Sequence, residues 1–291
     1  MRGPRPTFQP HPGVERACPR CLGESYVVGR EGDRASAALC ACVGPCPTCR
    51  GTGFVARGTG FRAPRVRCGC AQVDRRIQRF NRARIPARQA PCTIGNFDPS
   101  DARVTPSYMR VRKYLSAFDP REENRGLVFY GEVGRGKTHL MVAVLRELIF
   151  TWGLTARFIE FSHLIADLKS AFDKGSGSSR LLDPLGRVDV LAVDELGKGL
   201  GTDFETHVVD EVVSRRYDAR GVLLASTNYR PGKAQGQVTS NLTLAGRAGA
   251  SAPTLPDRVG PRVFSRLAEM CDFVPLVGPD YRLRDKPHWS E

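Results

Sequence analysis

The stretch that decides the fold is Gly131-Glu132-Val133-Gly134-Arg135-Gly136-Lys137-Thr138, which reads G-x-x-x-x-G-K-T. In this pattern the glycines let backbone N–H groups turn inward on a polyphosphate, Lys137 reaches the outer phosphates, and the Thr138 hydroxyl holds Mg²⁺. The segment Gly126–Tyr130 before it reads as a buried strand, and apolar residues recur at helical spacing after it: Leu140, Val144, Leu145 and Leu148. Strand, glycine loop and helix in this order direct a helix N-terminus at a phosphate. The stretch therefore predicts a site for ATP or a close relative.

A second apolar segment, Val188–Val193, ends in two carboxylates, Asp194 and Glu195. At the tip of a strand, Asp194 can share Mg²⁺ with Thr138, and Glu195 can polarise the water that attacks the terminal phosphate. Because this pair follows a phosphate loop, it predicts hydrolysis as well as binding. The expected nucleotide contacts are Gly131, Gly134, Arg135, Gly136, Lys137, Thr138, His139 and Asp194.

Two later segments add polar groups. Gly221–Thr227 reads as another strand, and Asn228 at its end either hydrogen-bonds the attacking water or simply forms a turn. Arg262 and Arg266 lie four residues apart on a predicted helix, so they project from one face. If that face meets a neighbouring subunit, an arginine can enter its ATP site and stabilise the developing charge; otherwise the two form a plain surface pair. The expected catalytic residues are Lys137, Glu195, Asn228, Arg262 and Arg266.

The N-terminal region contains a tandem repeat of cysteines. In each half a C-x-x-C turn precedes a C-x-C pair, the first cysteine lies 22 residues before that pair, and the halves are offset by 28. Since four thiolates satisfy tetrahedral Zn²⁺, the repeat predicts two closed structural zinc sites. Each site would stabilise a unit that is too short to form a hydrophobic core of its own. The spacing permits ligand pairing within each repeat or across the two. The expected ligands are Cys18, Cys21, Cys40, Cys42, Cys46, Cys49, Cys68 and Cys70.

Composition narrows the class of protein. The 291 residues leave room for about two domains, and a hydrophobic content of 41% is ordinary for a globular protein. No apolar run approaches the roughly 18 residues of a membrane span, and the N-terminus lacks the core of a signal peptide, so a cytoplasmic protein without a membrane partner is expected. In that compartment ten cysteines favour metal over disulfides.

Positive charge is concentrated in the first third of the chain. Residues 1–90 hold 17 arginines against 5 acidic residues, and so contribute 12 of the 14 net positive charges. This region is either a solvated arginine-rich surface or a surface that binds nucleic acid.

The order of the segments predicts a domain organisation. Val73–Arg82 has apolar residues at 73, 77 and 80, which suits a short amphipathic helix, and Pro86, Pro91 and Pro99 then mark an extended linker. The expected parts are a disordered N-terminus at 1–15, a tandem zinc-binding domain at 16–72, a basic helix and linker at 73–100, an ATPase domain at 101–285 and a tail at 286–291.

Taken together, these motifs resemble an AAA+ ATPase, and more narrowly the bacterial helicase-loader ATPases of the DnaC/DnaI type. The match extends to Arg84–Arg88, Asn96–Asp98, Gly136–Leu140, Ser265–Cys271 and Asp280–Arg282. The resemblance covers about residues 82–285. It implies an α/β fold, a P-loop AAA+ core with a five-stranded parallel sheet flanked by helices, preceded here by a small zinc-stabilised β-rich domain.

The resemblance also implies a role for each motif. It assigns Lys137 and Thr138 to Walker A, Asp194 and Glu195 to Walker B, Asn228 to sensor 1, and Arg266, with Arg262 as second match, to the arginine finger. The implied cofactors are ATP, Mg²⁺ and Zn²⁺.

In this family, a helical insertion after the second strand contacts single-stranded DNA. Its equivalent here is about Ser162–Arg180, where Ser162 is expected to cap a helix. Lys169, Lys174 and Arg180 then either meet DNA phosphates or form a solvated face. The implied partners are a replicative helicase of the DnaB type, single-stranded DNA, and further copies of the chain joined through the ATP site.

Three functions are compatible with these patterns. The favoured one is an ATP-hydrolysing helicase loader that acts in DNA replication. Transposition helper ATPases of the IstB type share its ATPase motifs. The third is a zinc-dependent, chaperone-like adaptor with a regulatory nucleotide site, because Cys46–Gly53 resembles the zinc repeat of DnaJ-type chaperones.

Overall fold

The computed structural model describes residues 8–58, 63–173, 179–199, 202–232 and 252–282. Contacts divide the chain into two compact units, residues 1–97 with 142–158 and residues 98–141 with 159–291. Within the described ranges no helix is long and apolar enough to cross a membrane. The predicted tail at 286–291 lies outside these ranges, and the predicted domain bounds stay predictions.

The first unit contains two antiparallel hairpins and a helix. Their bounds are β1 Tyr26–Glu31, β2 Arg34–Leu39, β3 Phe54–Ala56, β4 Arg65–Arg67 and α1 Ala71–Arg82, followed by a 3₁₀ turn at Ala87–Gln89. Each hairpin lies between a C-x-x-C turn and a C-x-C pair, so the cysteine repeat seen in the sequence corresponds to two similar ββ units.

Helix α1 turns its apolar stripe inward. Val73, Ile77 and Phe80 are buried, at the spacing that predicts an amphipathic helix. The ring of Phe80 lies 5.3 Å from that of Phe150, in the part of the next long helix that belongs to this unit. This packing anchors α1 in the first unit.

The segment after α1 is packed and not the extended linker expected from its prolines. Ala83 and Ile85 are fully buried. The Ala83 carbonyl accepts a hydrogen bond from the Phe158 N–H at 2.7 Å, and the Ile85 carbonyl accepts one from the Ala35 N–H at 2.8 Å. Between the prolines, Ala90, Cys92 and Phe97 are buried as well, so the segment has a buried face and belongs to the first unit up to Phe97.

Residues 8–15, which the sequence predicts to be disordered, also contact this unit. The Phe8 ring meets Tyr26 edge-on at 5.9 Å and lies beneath the Arg76 guanidinium at 4.9 Å. Phe8 and Val14, which packs against Cys18, Cys21 and Cys40, explain the difference, because partial burial of these apolar side chains favours an ordered position.

A five-stranded sheet has the order β6-β7-β8-β5-β9. The strands are β5 Gly126–Tyr130, β6 Ala156–Glu160, β7 Val190–Asp194, β8 Val222–Thr227 and β9 Cys271–Pro275. Strand β5 pairs in parallel with both β8 and β9, and β7 pairs in parallel with β8. The carboxyl ends of β5, β7 and β8 therefore meet at one edge. The predicted five-stranded parallel sheet is confirmed.

Helices flank this sheet. They are α2 Thr105–Ala117, α3 Lys137–Trp152, α4 Phe161–Asp173, α5 Ser179–Arg187, α6 Asp203–Asp218, α7 Leu255–Val259 and α8 Pro261–Met270. The apolar sides of α4 to α8 and the strands form one core, which includes Val128, Leu168, Leu191, Val213, Leu223 and Leu267.

Arg216, on α6, is an unusual member of this core because it is only 1% exposed. Its guanidinium donates hydrogen bonds to the carbonyls of Val188 at 2.6 Å, Asp189 at 2.9 Å and Val222 at 3.1 Å. Burial lowers its pKa to about 10. These bonds fix α6 to the beginnings of β7 and β8, the two strands whose far ends carry the acidic and polar residues of the candidate site.

Candidate nucleotide and metal sites

The phosphate loop connects β5 to α3, as the motif predicts. Gly134 has a φ of +77°, and a Cβ at this position would lie 1.9 Å from the Asp280 carboxylate. The Tyr281 N–H also donates to the Gly134 carbonyl at 3.0 Å. Only glycine fits both the backbone angle and this close approach. The segment after β9 thus packs directly on the loop.

Lys137 opens α3 and is 8% exposed. Its ammonium donates to the carbonyls of Gly131 at 2.8 Å and Glu132 at 2.6 Å. Desolvation lowers the pKa of Lys137 to about 8, against the opposing charge of Asp194. A phosphate anion beside this ammonium would favour the protonated form.

The other predicted loop contacts lie around this lysine. Arg135 pairs with Glu132 at 2.5 Å and is 21% exposed, and this pairing lowers the pKa of Glu132. His139 lies half-buried in the first turn of α3. The loop therefore presents backbone N–H groups and two cations at a helix N-terminus, an arrangement that suits a polyphosphate.

The two predicted magnesium ligands are in direct contact. The Thr138 hydroxyl donates to Oδ1 of Asp194 at 2.9 Å, and Asp194 is 1% exposed. Adjacent ligands of an octahedral Mg²⁺ lie about 3 Å apart when each metal–oxygen bond is about 2.1 Å. The pair therefore fits Mg²⁺ in both chemistry and spacing.

Ser226, in β8, joins the acidic residues of β7. Its hydroxyl donates to Oδ1 of Asp194 and accepts a hydrogen bond from the Glu195 N–H at 3.1 Å. None of the sequence motifs assigns Ser226 a role of its own. The available signal was a polar residue inside the apolar strand Val222–Thr227.

Glu195 follows directly after β7 and has a φ of +58°. Its carboxylate pairs with the Lys198 ammonium at 2.5 Å, and its side chain is 31% exposed. The predicted base is thus accessible and has a cation three residues away, which the sequence did not single out. Asn228 lies one residue beyond the end of β8 and is exposed at the same edge of the sheet.

The two candidate finger arginines differ in environment. Arg266 donates to Asp210 at 3.0 Å and to the Ser214 hydroxyl at 2.6 Å, and its side chain is 21% exposed. Arg262 is 72% exposed and lies 3.8 Å from the same carboxylate. Arg266, the better motif match, therefore binds its own chain's α6, whereas Arg262 is open to solvent.

The predicted DNA contacts are only partly described. Lys169 on α4 and Arg180 on α5 are exposed, whereas Lys174 lies outside the described residues. The Lys169 ammonium lies 5.7 Å from the centre of the Phe204 ring. Helix α4 begins at Phe161, so Ser162 lies in its first turn and is not the cap; its hydroxyl instead donates to Glu160 at 3.0 Å.

The structure brings the eight predicted zinc ligands together as two clusters, each within one repeat. In the first cluster the sulfurs of Cys18 and Cys40 are 3.8 Å apart and those of Cys21 and Cys42 3.6 Å. A tetrahedron with Zn–S bonds of about 2.3 Å places its sulfurs about 3.8 Å apart. The first donor set therefore fits zinc.

The second cluster has the same geometry. The sulfurs of Cys46 and Cys68 are 3.8 Å apart, and those of Cys49 and Cys70 are 3.5 Å apart. The backbone N–H of Cys49 lowers the pKa of Cys46 to about 6, which favours the thiolate that a metal binds. Of the two pairings that the spacing allows, both clusters use the one within a repeat.

Cys92 and Cys271 stand apart from these clusters. Both are buried, and burial raises the pKa of Cys92 to about 11 and that of Cys271 to about 12. Thiols of this kind are unreactive packing residues.

Comparisons with known proteins support this architecture. The replicative helicase loader DnaC of Escherichia coli strain K12 is 27% identical over 142 residues, 48% of this chain and 57% of that protein. A putative ATP-binding protein of insertion sequence IS5376 from Geobacillus stearothermophilus is 29% identical over 195 residues, 67% of this chain and 69% of that protein. This chain thus spans little more than half the length of the helicase loader.

The fold has solved counterparts. The crystal structure of the DnaC helicase loader superposes with a TM-score of 0.54 at 24% identity, over 65% of this chain and 99% of that one. This likeness confirms the predicted α/β fold, a parallel sheet flanked by helices.

A family profile covers most of the sequence. The profile described as IstB-like ATP binding protein matches residues 70–288, which include the phosphate loop, both acidic residues and both candidate arginines. The match confirms the predicted P-loop ATPase class and the predicted DnaC/DnaI and IstB-like relationship. The chain belongs to the family of IstB-like ATP-binding proteins.

Proposed function

We propose that this chain is an ATP-hydrolysing helicase loader, which binds a replicative helicase and single-stranded DNA during DNA replication in the cytoplasm. The observation that supports hydrolysis most is the hydrogen-bonded network of Thr138, Asp194 and Ser226, beside Lys137 and Glu195. The similarity to proteins named as replicative helicase loaders supports the role in replication.

In the proposed reaction each residue of the site has a separate role. Lys137, whose pKa is about 8, turns from the loop carbonyls to the outer phosphates and offsets their charge. Thr138 and Asp194 would hold Mg²⁺, which supplies further positive charge at the phosphates. Glu195 accepts a hydrogen bond from the attacking water and polarises it, while Asn228 orients that water from the end of β8.

Hydrolysis in this proposal needs a neighbouring copy of the chain. The exposed Arg262 enters the neighbour's nucleotide site and stabilises the charge that develops on the transferred phosphate. Arg266 keeps α8 on α6 through Asp210 and Ser214, and so holds Arg262 at the right place. Arg266 thus acts as a positioning residue and Arg262 as the finger.

Single-stranded DNA would be contacted by the insertion that contains α4 and α5. The exposed cations Lys169 and Arg180 are available to phosphates there. The zinc-stabilised hairpins of the first unit are proposed to bind the helicase. The metal serves there as a structural crosslink.

A second function, a transposition helper of the IstB type, has its own support. The insertion-sequence relative is matched over 67% of this chain, more than the 48% matched by the helicase loader. A helper would bind a transposase and prefer duplex DNA, whereas a loader would bind a hexameric helicase and prefer single strands.

The deciding experiment uses the full chain in its zinc-loaded form. ATP hydrolysis is measured alone, with single-stranded DNA, with duplex DNA, and with a purified DnaB-type helicase. A loader is expected to form a stable complex with the helicase and to hydrolyse ATP faster with single strands. Glu195→Gln is expected to bind ATP and to remain locked on the helicase.

The other outcomes are equally clear. Stimulation by duplex DNA only, without a helicase complex, would support the transposition helper. Full biological activity of Glu195→Gln would support the third function, an adaptor with a regulatory nucleotide site, because an adaptor needs binding but no turnover.

A further inference from the structure

The two cysteine repeats have the same hairpin register but different surfaces. An offset of 28 carries Tyr26 to Phe54, and Leu39 to Arg67. Tyr26 pairs with Leu39 in the first hairpin, and Phe54 pairs with Arg67 in the second. Residues directly opposite in an antiparallel pair lie on the same face. Each hairpin thus has one outer face that can be compared position by position.

The inner face of each hairpin packs against the cysteine cluster of its own repeat. Val27 packs on the first cysteine cluster, and Val55, its counterpart 28 residues later, packs on the second. The hairpins therefore have the same orientation relative to their metal clusters, and differences on their outer faces do not come from a change of register.

In the first repeat most of the outer face is covered, although Leu39 at its edge is 42% exposed. Tyr26 is 6% exposed, and its ring stacks on Phe150 at 3.8 Å with the planes 3° apart. Ala37 is 3% exposed, and its N–H donates to the Asn81 side chain at 2.7 Å. This face holds the first hairpin in its unit.

In the second repeat the same face is open and basic. Phe54 is 48% exposed. Arg65 takes the place of the buried Ala37, and Arg67 takes that of Leu39; both arginines are exposed. Because Arg67 lies opposite Phe54, and Arg65 lies opposite Ala56 two residues further along, an aromatic ring and two guanidinium groups share one surface.

Charge separates the repeats further. Residues 16–42 hold four arginines and three acidic residues, whereas residues 44–70 hold five arginines and no acidic residue. Each zinc with four thiolates contributes a charge of about −2. The loaded first repeat is therefore close to neutral, and the loaded second repeat stays positive.

We infer that the outer face of the second hairpin, formed by Phe54, Arg65 and Arg67, binds single-stranded nucleic acid. An exposed ring provides a surface on which an unpaired base stacks, and neighbouring arginines bind the phosphates on either side. Residues 44–70 contain no carboxylate, so their own repeat supplies no acidic partner for these arginines. The phosphates of a nucleic acid strand can take that place.

This inference deepens the proposed function, since it gives the single-stranded DNA of that proposal a second site in the first unit. It rests on that proposal only for the biological identity of the strand. Binding at the hairpin needs no nucleotide, so it is expected without ATP and in the Lys137→Ala variant. Failure of the loader proposal and failure of this inference therefore give different results.

The test measures fluorescence anisotropy of a labelled oligothymidylate of about 20 nucleotides with the zinc-loaded full chain, without ATP, at several salt concentrations. Arg65→Gln/Arg67→Gln is expected to weaken binding at least about fivefold and to lower the salt slope by about 1.4, because each phosphate contact to a single strand contributes about 0.7. Phe54→Ala is expected to weaken binding by a similar factor with an unchanged slope, since stacking releases no counterions.

The matched control is Arg20→Gln/Arg30→Gln, which removes two exposed arginines from the first repeat. It leaves the outer face of the second hairpin intact. It is expected to bind within about twofold of the parent, and every variant should retain two zinc ions. Unchanged affinity of both hairpin variants, or an equal loss in the control, would overturn the inference. So would hairpin-dependent binding of an acidic peptide without binding of the oligonucleotide, which would indicate a protein partner.

Discussion

Ser226 is the residue on which both acidic groups of the nucleotide site depend. Its single hydroxyl bonds to the buried carboxylate of Asp194 and to the N–H of Glu195, the residue proposed to polarise water. A hydrogen bond to a charged group contributes about 1.5–3 kcal/mol, more than a bond between neutral groups. The hydroxyl is thus well placed to fix where the proposed base lies, although it touches no reacting atom.

Replacing Ser226 with alanine is expected to lower kcat about 10- to 100-fold, because the loss of about 1.5–3 kcal/mol falls on the orientation of Asp194 and Glu195. Affinity for ATP should stay within about threefold, since Lys137 and the loop remain. The matched control is Thr227→Val, which removes the neighbouring hydroxyl that donates to the Leu196 carbonyl at 2.8 Å. Steady-state kinetics of the two variants decide the matter: an equal loss of kcat in both would show that Ser226 only stabilises the strand.

Lys137 is expected to make nucleotide binding dependent on pH. Burial lowers its pKa to about 8, and bound phosphates would raise it, so binding takes up a proton above that pH. Affinity for ATP is expected to be constant well below pH 8 and to fall up to about tenfold per pH unit above it. Titrations between about pH 6.5 and 9.5 measure this, with Lys137→Arg as control because arginine stays charged throughout. A flat profile in the parent protein would contradict the assignment.

Among the secondary-structure elements, those with strong local patterns were predictable. The strand, loop and helix around Gly131–Thr138 follow from the glycine motif, and α1 follows from the spacing of its apolar residues. The pairing of the cysteines within each repeat was not predictable from the sequence. A spacing of 22 residues permits pairing within or across the repeats, and only the hairpin registers select one of the two.

Predictions failed where long-range packing competes with a local signal. Prolines suggested an extended linker, but buried Ala83 and Ile85 hold that segment in the first unit. Ser162 suggested a helix cap, but the helix begins one residue earlier. Which of Arg266 and Arg262 is the arginine finger stays a prediction; the bond of Arg266 to Asp210 joins residues 56 apart in sequence, so no local pattern could show that the two arginines have different environments.

The two zinc hairpins are expected to differ in their effect on stability. Cys21→Ser should remove one zinc and lower the free energy of unfolding by about 3 kcal/mol, because the first hairpin then releases the stacked Tyr26. Cys49→Ser should also remove one zinc and unfold its own hairpin, but it should destabilise the rest of the first unit less than Cys21→Ser does, since the outer face of the second hairpin is exposed. Native mass spectrometry and thermal unfolding measure both, with the buried Cys92→Ser as a control that keeps two zinc ions. Equal losses of stability would contradict the distinction drawn between the hairpins.

The molecule as a whole is proposed to be active only as an assembly, because the residues that bind ATP and the arginine that completes the site belong to different copies. One chain supplies the loop and both acidic residues at the edge of its sheet. On α8 it carries Arg262, whose side chain is 72% exposed, beside Arg266, whose side chain is 21% exposed and bonded to α6. An exposed cation next to a fixed one suits a group that acts on a neighbour.

Mixing two inactive variants tests whether Arg262 acts in the nucleotide site of a neighbouring copy. Arg262→Ala is expected to reduce hydrolysis at least about tenfold without a change in Tm, whereas Arg266→Ala should lower the free energy of unfolding by about 1–2 kcal/mol through the loss of its bonds to Asp210 and Ser214. Arg262→Ala retains an intact nucleotide site, and Glu195→Gln retains an intact finger, so their mixture should regain part of the activity that each lacks alone. The readout is phosphate release at constant total protein. If the mixture stays as inactive as its components, or if Arg262→Ala hydrolyses ATP like the parent, Arg262 does not act in a neighbouring site.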